Sequence, residues 1–142
     1  MNKKLLIFGG ILLCIITFIS VELIFYRNSS PDRTVLKFAK DMNKQCPMMI
    51  DIETRLDNVN ALADNTLHFD YTLIYHVKDS LPVENIKNYM QPMILSKIKT
   101  SETLSKFLDK KLTWVYSYRD KNGDFIFKLI YTPEQFKKPL IR

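Results

Sequence analysis

The residues with the types and spacing to do chemistry fall in two stretches. In the first, Asp51, Glu53 and Asp57 alternate with apolar neighbours, and Arg55 lies between them on the same side. On one strand, carboxylates at i and i+2 stand roughly 6 to 7 Å apart, a separation that suits a shared metal ion or divided acid and base roles. In the second, His68, Asp70 and His76 share a parity that points them to the same face. A zinc site needs three or four convergent ligands, and His76 lies roughly 20 Å or more along an extended strand from His68. Arg55 neutralises its acidic neighbours, and alternating charge is also what a solvated sheet face looks like. The sequence therefore assigns no catalytic, cofactor-binding or metal-ligating residue.

Other chemistries find less support. Cys14 lies within an apolar run and Cys46 ends a helical stripe beside Pro47, so an internal disulfide is out of reach and Cys46 packs as a small hydrophobe. The glycines are Gly9, Gly10 and Gly123, too few and too scattered for a glycine-rich phosphate cradle. What remains is a surface. The polar side of strands 51–57 and 66–77 offers Asp51, Glu53, Arg55, Asp57, His68 and Asp70. Beside it Ile74, Val115, Ile126 and Ile130 are interspersed with Thr72, Lys128 and Arg119, more apolar than a face meant only for water. We take these residues as the expected interaction surface, unless the tail 136–141 folds over the isoleucines.

The segment that decides the compartment is the first. Lys3 and Lys4 precede an uncharged run from Leu5 to Val21, followed by Glu22 and Arg27. That length suits the hydrocarbon core of a bilayer, and the lysines place the N-terminus in the cytoplasm. No small residue stands at both −1 and −3 of a cleavage site, so the expectation is an uncleaved, single-pass signal anchor over 1–27. A linker at 28–30 and one extracytoplasmic domain at 31–142 follow, periplasmic if the cell has two membranes. The net charge of +6 comes from 21 basic and 15 acidic residues and is concentrated at the two ends, which leaves the body near neutral and argues against a nucleic-acid partner.

Periodicity supplies the elements. Ser30-Pro31-Asp32 forms a helix start, and Val35, Phe38, Ala39, Met42 and Cys46 make its apolar stripe up to Pro47. Residues 48–57 alternate as a strand with Ile50, Ile52, Thr54 and Leu56 inward, 58–65 connect, and 66–77 alternate again. A second helix carries Val83, Ile86, Met90, Met93 or Ile94, and Ile98, with Pro92 predicting a kink or break near Gln91. Thr100-Ser101-Glu102 caps a short third helix. Leu112, Trp114, Tyr116 and Tyr118 line one face of the next strand, and Phe125, Phe127, Leu129 and Tyr131 line one face of the last. The tight turn Asn122-Gly123 joins them. Thr132-Pro133-Glu134-Gln135 has the form of a capping box. The order α-β-β-α-α-β-β predicts an α+β fold, a four-stranded antiparallel sheet with helices on one face.

The stretch Asn43-x-x-Cys46-Pro47, then Asp51-x-x-Thr54-Arg55-Leu56-Asp57, resembles a group of small bacterial membrane-anchored envelope proteins without an assigned activity. Their tyrosine-rich strand, Asp-x-x-Gly turn and Thr-Pro-Glu end correspond here to Tyr116 to Arg119, Asp120 with Gly123, and Thr132 to Glu134. The resemblance implies a bacterial envelope protein and carries over no catalytic residue. The resulting expectation is a membrane-tethered, non-catalytic domain that binds or stabilises another envelope protein. An enzyme or small-ligand binder using the polar strand face is one alternative, and an inhibitor or immunity-type protein is another.

Overall fold

The computed structural model describes residues 30–137. Helix α1 (Arg33–Asn43) leads through the short strand β1 (Met48–Met49) to β2 (Thr54–Leu62) and β3 (Thr66–Leu73). A 3-10 turn at Lys78–Ser80, helix α2 (Val83–Thr100) and a second 3-10 segment at Ser105–Lys110 precede β4 (Thr113–Asp120), β5 (Phe125–Tyr131) and the short helix α3 (Pro133–Lys137). The five strands form one sheet in the order β1-β2-β3-β4-β5.

The sheet corrects the sequence expectation in both number and direction. It has five strands, not four, and it is mixed, because β3 and β4 run parallel while the other neighbours are antiparallel. The cause lies in the connection. An 18-residue helix between β3 and β4 is long enough to carry the chain back to the end from which β3 started, and such a crossover makes parallel neighbours. The predicted transmembrane anchor at 1–27 lies outside the described residues. Among those that are described, no helix is long and apolar enough to cross a membrane.

The expected first strand, 48–57, is a hairpin. Met48 faces Leu56 and Met49 faces Arg55, so 50–53 is a loop. Asp51 organises it by accepting the N–H groups of Glu53 and Thr54, each at 2.8 Å. The expected connection 58–65 is mostly strand. A bulge between Leu56 and Asn58 reverses parity, so that Leu56 and Val59 both face the core, and this break in alternation is what makes the stretch look like a loop. The turn back into β3 uses Asp64 and Asn65 at φ 59° and 53°, a left-handed region that short polar side chains tolerate.

Helix α1 starts two residues later than predicted, at Asp32, whose carboxylate accepts the N–H of Thr34 at 2.8 Å. Its Val35 and Ala39 join Leu56, Val59, Leu67, Phe69, Ile94, Ile98 and the inward residues of β4 and β5 in one core. Helix α2 runs through Pro92 without a break. Ile94 and Ile98 are its buried residues, and Met93 is left at the surface. In β5 a register shift opposite Tyr118 and Arg119 puts Phe125 outward and buries Ile126.

Candidate docking groove

The strand register sets rings side by side. Leu67, Phe69 and Tyr71 of β3 face Trp114, Tyr116 and Tyr118 of β4. Phe69 stacks on Tyr116 at 4.9 Å, Tyr71 on Tyr118 at 5.1 Å and Tyr118 on Phe127 at 4.7 Å between ring centroids. Toward β1 and β2 this aromatic floor is open. The gap between α1 and α2 leaves a cavity of about 390 Å³ walled by Phe38, Met42, Met90, Ile94 and Leu104, with Tyr71, Tyr116 and Tyr118 beneath. A second cavity of about 610 Å³ adjoins it, running under Tyr89 and Ile86 toward Leu81 and His76. The two share Asp51, Thr54, Met90 and Met93 and so form one groove along α2.

The rim is apolar. Ile52 is 82% exposed, Tyr89 72% and Met93 48%, all lining the groove. Large apolar side chains that face solvent together around a concave, apolar site mark a binding surface more often than scattered exposure does. The polar groups nearby are few. Asp51 and Lys97 both border the first cavity. Asp51 is held below its ordinary value first by the amide of Glu53, with the Lys97 charge adding to the effect. Burial pushes the hydroxyls of Tyr71, Tyr116 and Tyr118 well above the usual tyrosine range, so they stay neutral hydrogen-bonding groups.

The residues singled out from sequence divide between loop, bulge and outer face. Asp51 and Glu53 sit in the β1–β2 loop, where Glu53 meets His76 at 3.1 Å. Asp57 occupies the β2 bulge and accepts from both Arg55 Nε and Thr72 Oγ1. His68 and Asp70 lie on the outer face of β3, away from the groove. His68 Nε2 contacts Ser117 Oγ at 2.7 Å and Asp70 Oδ1 at 3.4 Å. A serine, a histidine and an aspartate thus meet, but both partners address the same ring nitrogen. A nucleophilic triad needs the carboxylate on the opposite nitrogen. Val115 and Ile130 pair across β4 and β5 on that outer face. Ile74 follows the end of β3, and Ile126 is buried rather than available at the surface. Among the described residues, no group of three or more His, Cys, Asp or Glu side chains is placed to hold a metal ion.

Several motif residues turn out to organise the backbone. The Asn43 carboxamide pairs with both the N–H and the C=O of Val59, at 2.7 Å each. Asp120, fully buried, accepts from the amides of Lys78, Asn122 and Asp124. Gln135 closes the capping box on the Thr132 N–H at 2.8 Å.

The groove itself escaped sequence reading. Its walls come from segments far apart in the chain, and the available signal was that Tyr89, Met90 and Met93 make the apolar surface of α2 wider than a core-facing stripe needs.

These features define an α+β domain whose helices wall an aromatic-floored groove on one side of a mixed sheet. The chain belongs to the family of the domain of unknown function DUF8479, whose model matches residues 30–127. Among solved structures, the fold is similar to that of a Pseudomonas aeruginosa protein described as secreted. That pair aligns with a TM-score of 0.61 at 11% identity, covering 74% of this chain and 91% of the other. It is also similar to EpsS, the pilotin of the Vibrio vulnificus type 2 secretion system, with a TM-score of 0.58, 13% identity and coverage of 75% and 91%. For the type II secretion pilotin AspS of Vibrio cholerae the values are 0.55, 14%, 72% and 88%. At such identities the likeness is one of fold. A search of curated proteins finds no match.

Proposed function

We propose that the domain is a non-catalytic protein-binding module of the bacterial cell envelope, and that its groove holds an amphipathic helical segment of another envelope protein. The observation that carries this reading is the exposed Ile52, Tyr89 and Met93 lining a cavity that continues, past the shared Met90 and Met93, into one floored by stacked aromatics. A helix laid into a groove buries its apolar face at i, i+3, i+4 and i+7, which suits a trough walled by two helices. The basic residues Lys3 and Lys4 ahead of the uncharged run 5–21 support export. The fold shared with two secretion pilotins supports a partner in a secretion or other envelope assembly. The bond pattern around His68 speaks against nucleophilic catalysis on the polar face.

The test is site-specific photo-cross-linking of the full chain in intact cells. A photoreactive residue at position 52, 89 or 93 should trap one and the same envelope protein, and one at position 128 on the outer face should not. Cross-links to a defined partner from position 128 alone would transfer the interaction to the outer sheet face with Asp70 and Val115. No cross-link from any groove position would end the docking reading.

A further inference from the structure

The groove floor carries more polar chemistry than an apolar partner face can use. Tyr71, Tyr116 and Tyr118 all line the cavity, and among the described residues none of their hydroxyls has a hydrogen-bond partner. Tyr131 shows the alternative, since its hydroxyl is satisfied by the Gln91 carbonyl at 3.0 Å. No sealed side-chain polar atom among the described residues lacks a partner. The three hydroxyls are therefore not sealed, and the cavity that all three residues line is taken as their route to water. Filling the groove with a wholly apolar segment would remove that water and strand all three, at a cost for each.

We propose that the docking segment carries a carboxamide, an asparagine or glutamine side chain, at the centre of its apolar face, and that the hydroxyls of Tyr71, Tyr116 and Tyr118 receive it. This rests on the groove being a docking site. A carboxamide presents two acceptor lone pairs and two N–H donors, and each phenol hydroxyl can donate and accept, so one amide can serve all three. An ionised group fits less well. Asp51 and Lys97 border the cavity with opposite charges and leave no net charge to offset the desolvation of an ion. The tyrosines then set specificity, and the surrounding apolar walls supply affinity.

The experiment uses the full chain in detergent and a set of synthetic amphipathic 18-residue helices with leucine along the apolar face. In each member of the set one apolar position is changed, Leu→Gln. The parent protein should bind one centrally substituted peptide roughly fivefold or more tighter than the all-leucine peptide, as expected when stranded hydroxyls gain partners. Tyr71→Phe, Tyr116→Phe and Tyr118→Phe, singly and together, should erase that preference while leaving the melting temperature unchanged or raised. If the all-leucine peptide binds tightest to parent and variants alike, the amide proposal fails and the docking groove stands. If no peptide binds the parent, the groove reading falls and takes the amide with it.

Discussion

Asn43, the last residue of α1, treats Val59 as a neighbouring strand would, donating to its carbonyl and accepting from its amide at 2.7 Å each. Val59 follows the bulge at Asp57, where ladder pairing is interrupted, so the side chain supplies hydrogen bonds at the point where the sheet lacks its own. Removing it leaves a half-buried donor and acceptor unpaired. Asn43→Ala should lower unfolding free energy by about 2 to 3 kcal/mol, and Asn43→Asp, which keeps the acceptor and loses the donor, should fall between. Urea denaturation followed by tryptophan fluorescence measures both.

Asp120 governs the β4–β5 turn. Burial on its own pushes the carboxyl up, but the amides of Lys78, Asp124, Asn122 and Gly123 together outweigh it and hold the group below its ordinary value of 3.8. A depressed carboxyl contributes stability that is present above the unfolded value and lost as pH falls through the folded one. Asp120→Asn should therefore be about 1 to 3 kcal/mol less stable than the parent near neutrality. The gap should begin to narrow as pH drops below about 3.8, where the unfolded chain takes up its proton, and should close as the folded carboxyl protonates at its lower value. A gap that stayed constant across that window would mean the amides do not read the charge.

Much of the fold was legible because periodicity records burial directly. Val35 and Ala39 on α1, Trp114, Tyr116 and Tyr118 on β4, and Phe127, Leu129 and Tyr131 on β5 all lie where their spacing puts them. The turn at Gly123, φ 90°, and the capping box at Thr132 were written in residue type. Strand direction was not, because alternation is the same in parallel and antiparallel neighbours; only the length of α2 carried that information. The loop 50–53 was hidden since its four residues happen to continue the alternation of the strands around them. An aspartate that caps a loop, as Asp51 does, has the same letter as one facing water from a strand.

Gly123 offers a clean test of backbone strain. A Cβ there would meet nothing within 4 Å, yet its φ of 90° is one that residues with side chains rarely adopt. Gly123→Ala should thus cost about 1 kcal/mol through conformation alone, with no change in the core. Thermal unfolding reports the loss, and an unaltered near-ultraviolet circular dichroism spectrum separates strain from repacking.

Cys46 is half-buried, and its thiol is pushed up first by burial and then by the nearby Asp57 carboxylate. The thiolate is the reactive form. Alkylation by iodoacetamide in native buffer should be slower than in urea at every pH from 7 to 9, with the two rates converging only above the raised value. Equal rates at pH 8 would show the thiol to be open and unperturbed.

Adjacent residues on α2 separate folding from binding. Ile94 is 6% exposed within the core and Met93 is 48% exposed on the groove rim. Truncating a buried isoleucine removes transfer energy and leaves a cavity, so Ile94→Ala should cost about 2 to 4 kcal/mol. Met93→Ala should change stability by less than about 0.5 kcal/mol, the usual range for a surface position. If the groove is a docking site, the same Met93→Ala change, where its two cavities meet, should weaken partner binding roughly tenfold, the effect of losing an apolar anchor near the middle of the interface. Stability by denaturation and affinity by titration, measured on both variants, should give opposite rankings. A Met93→Ala variant that bound its partner as well as the parent does would place that side chain outside the interface.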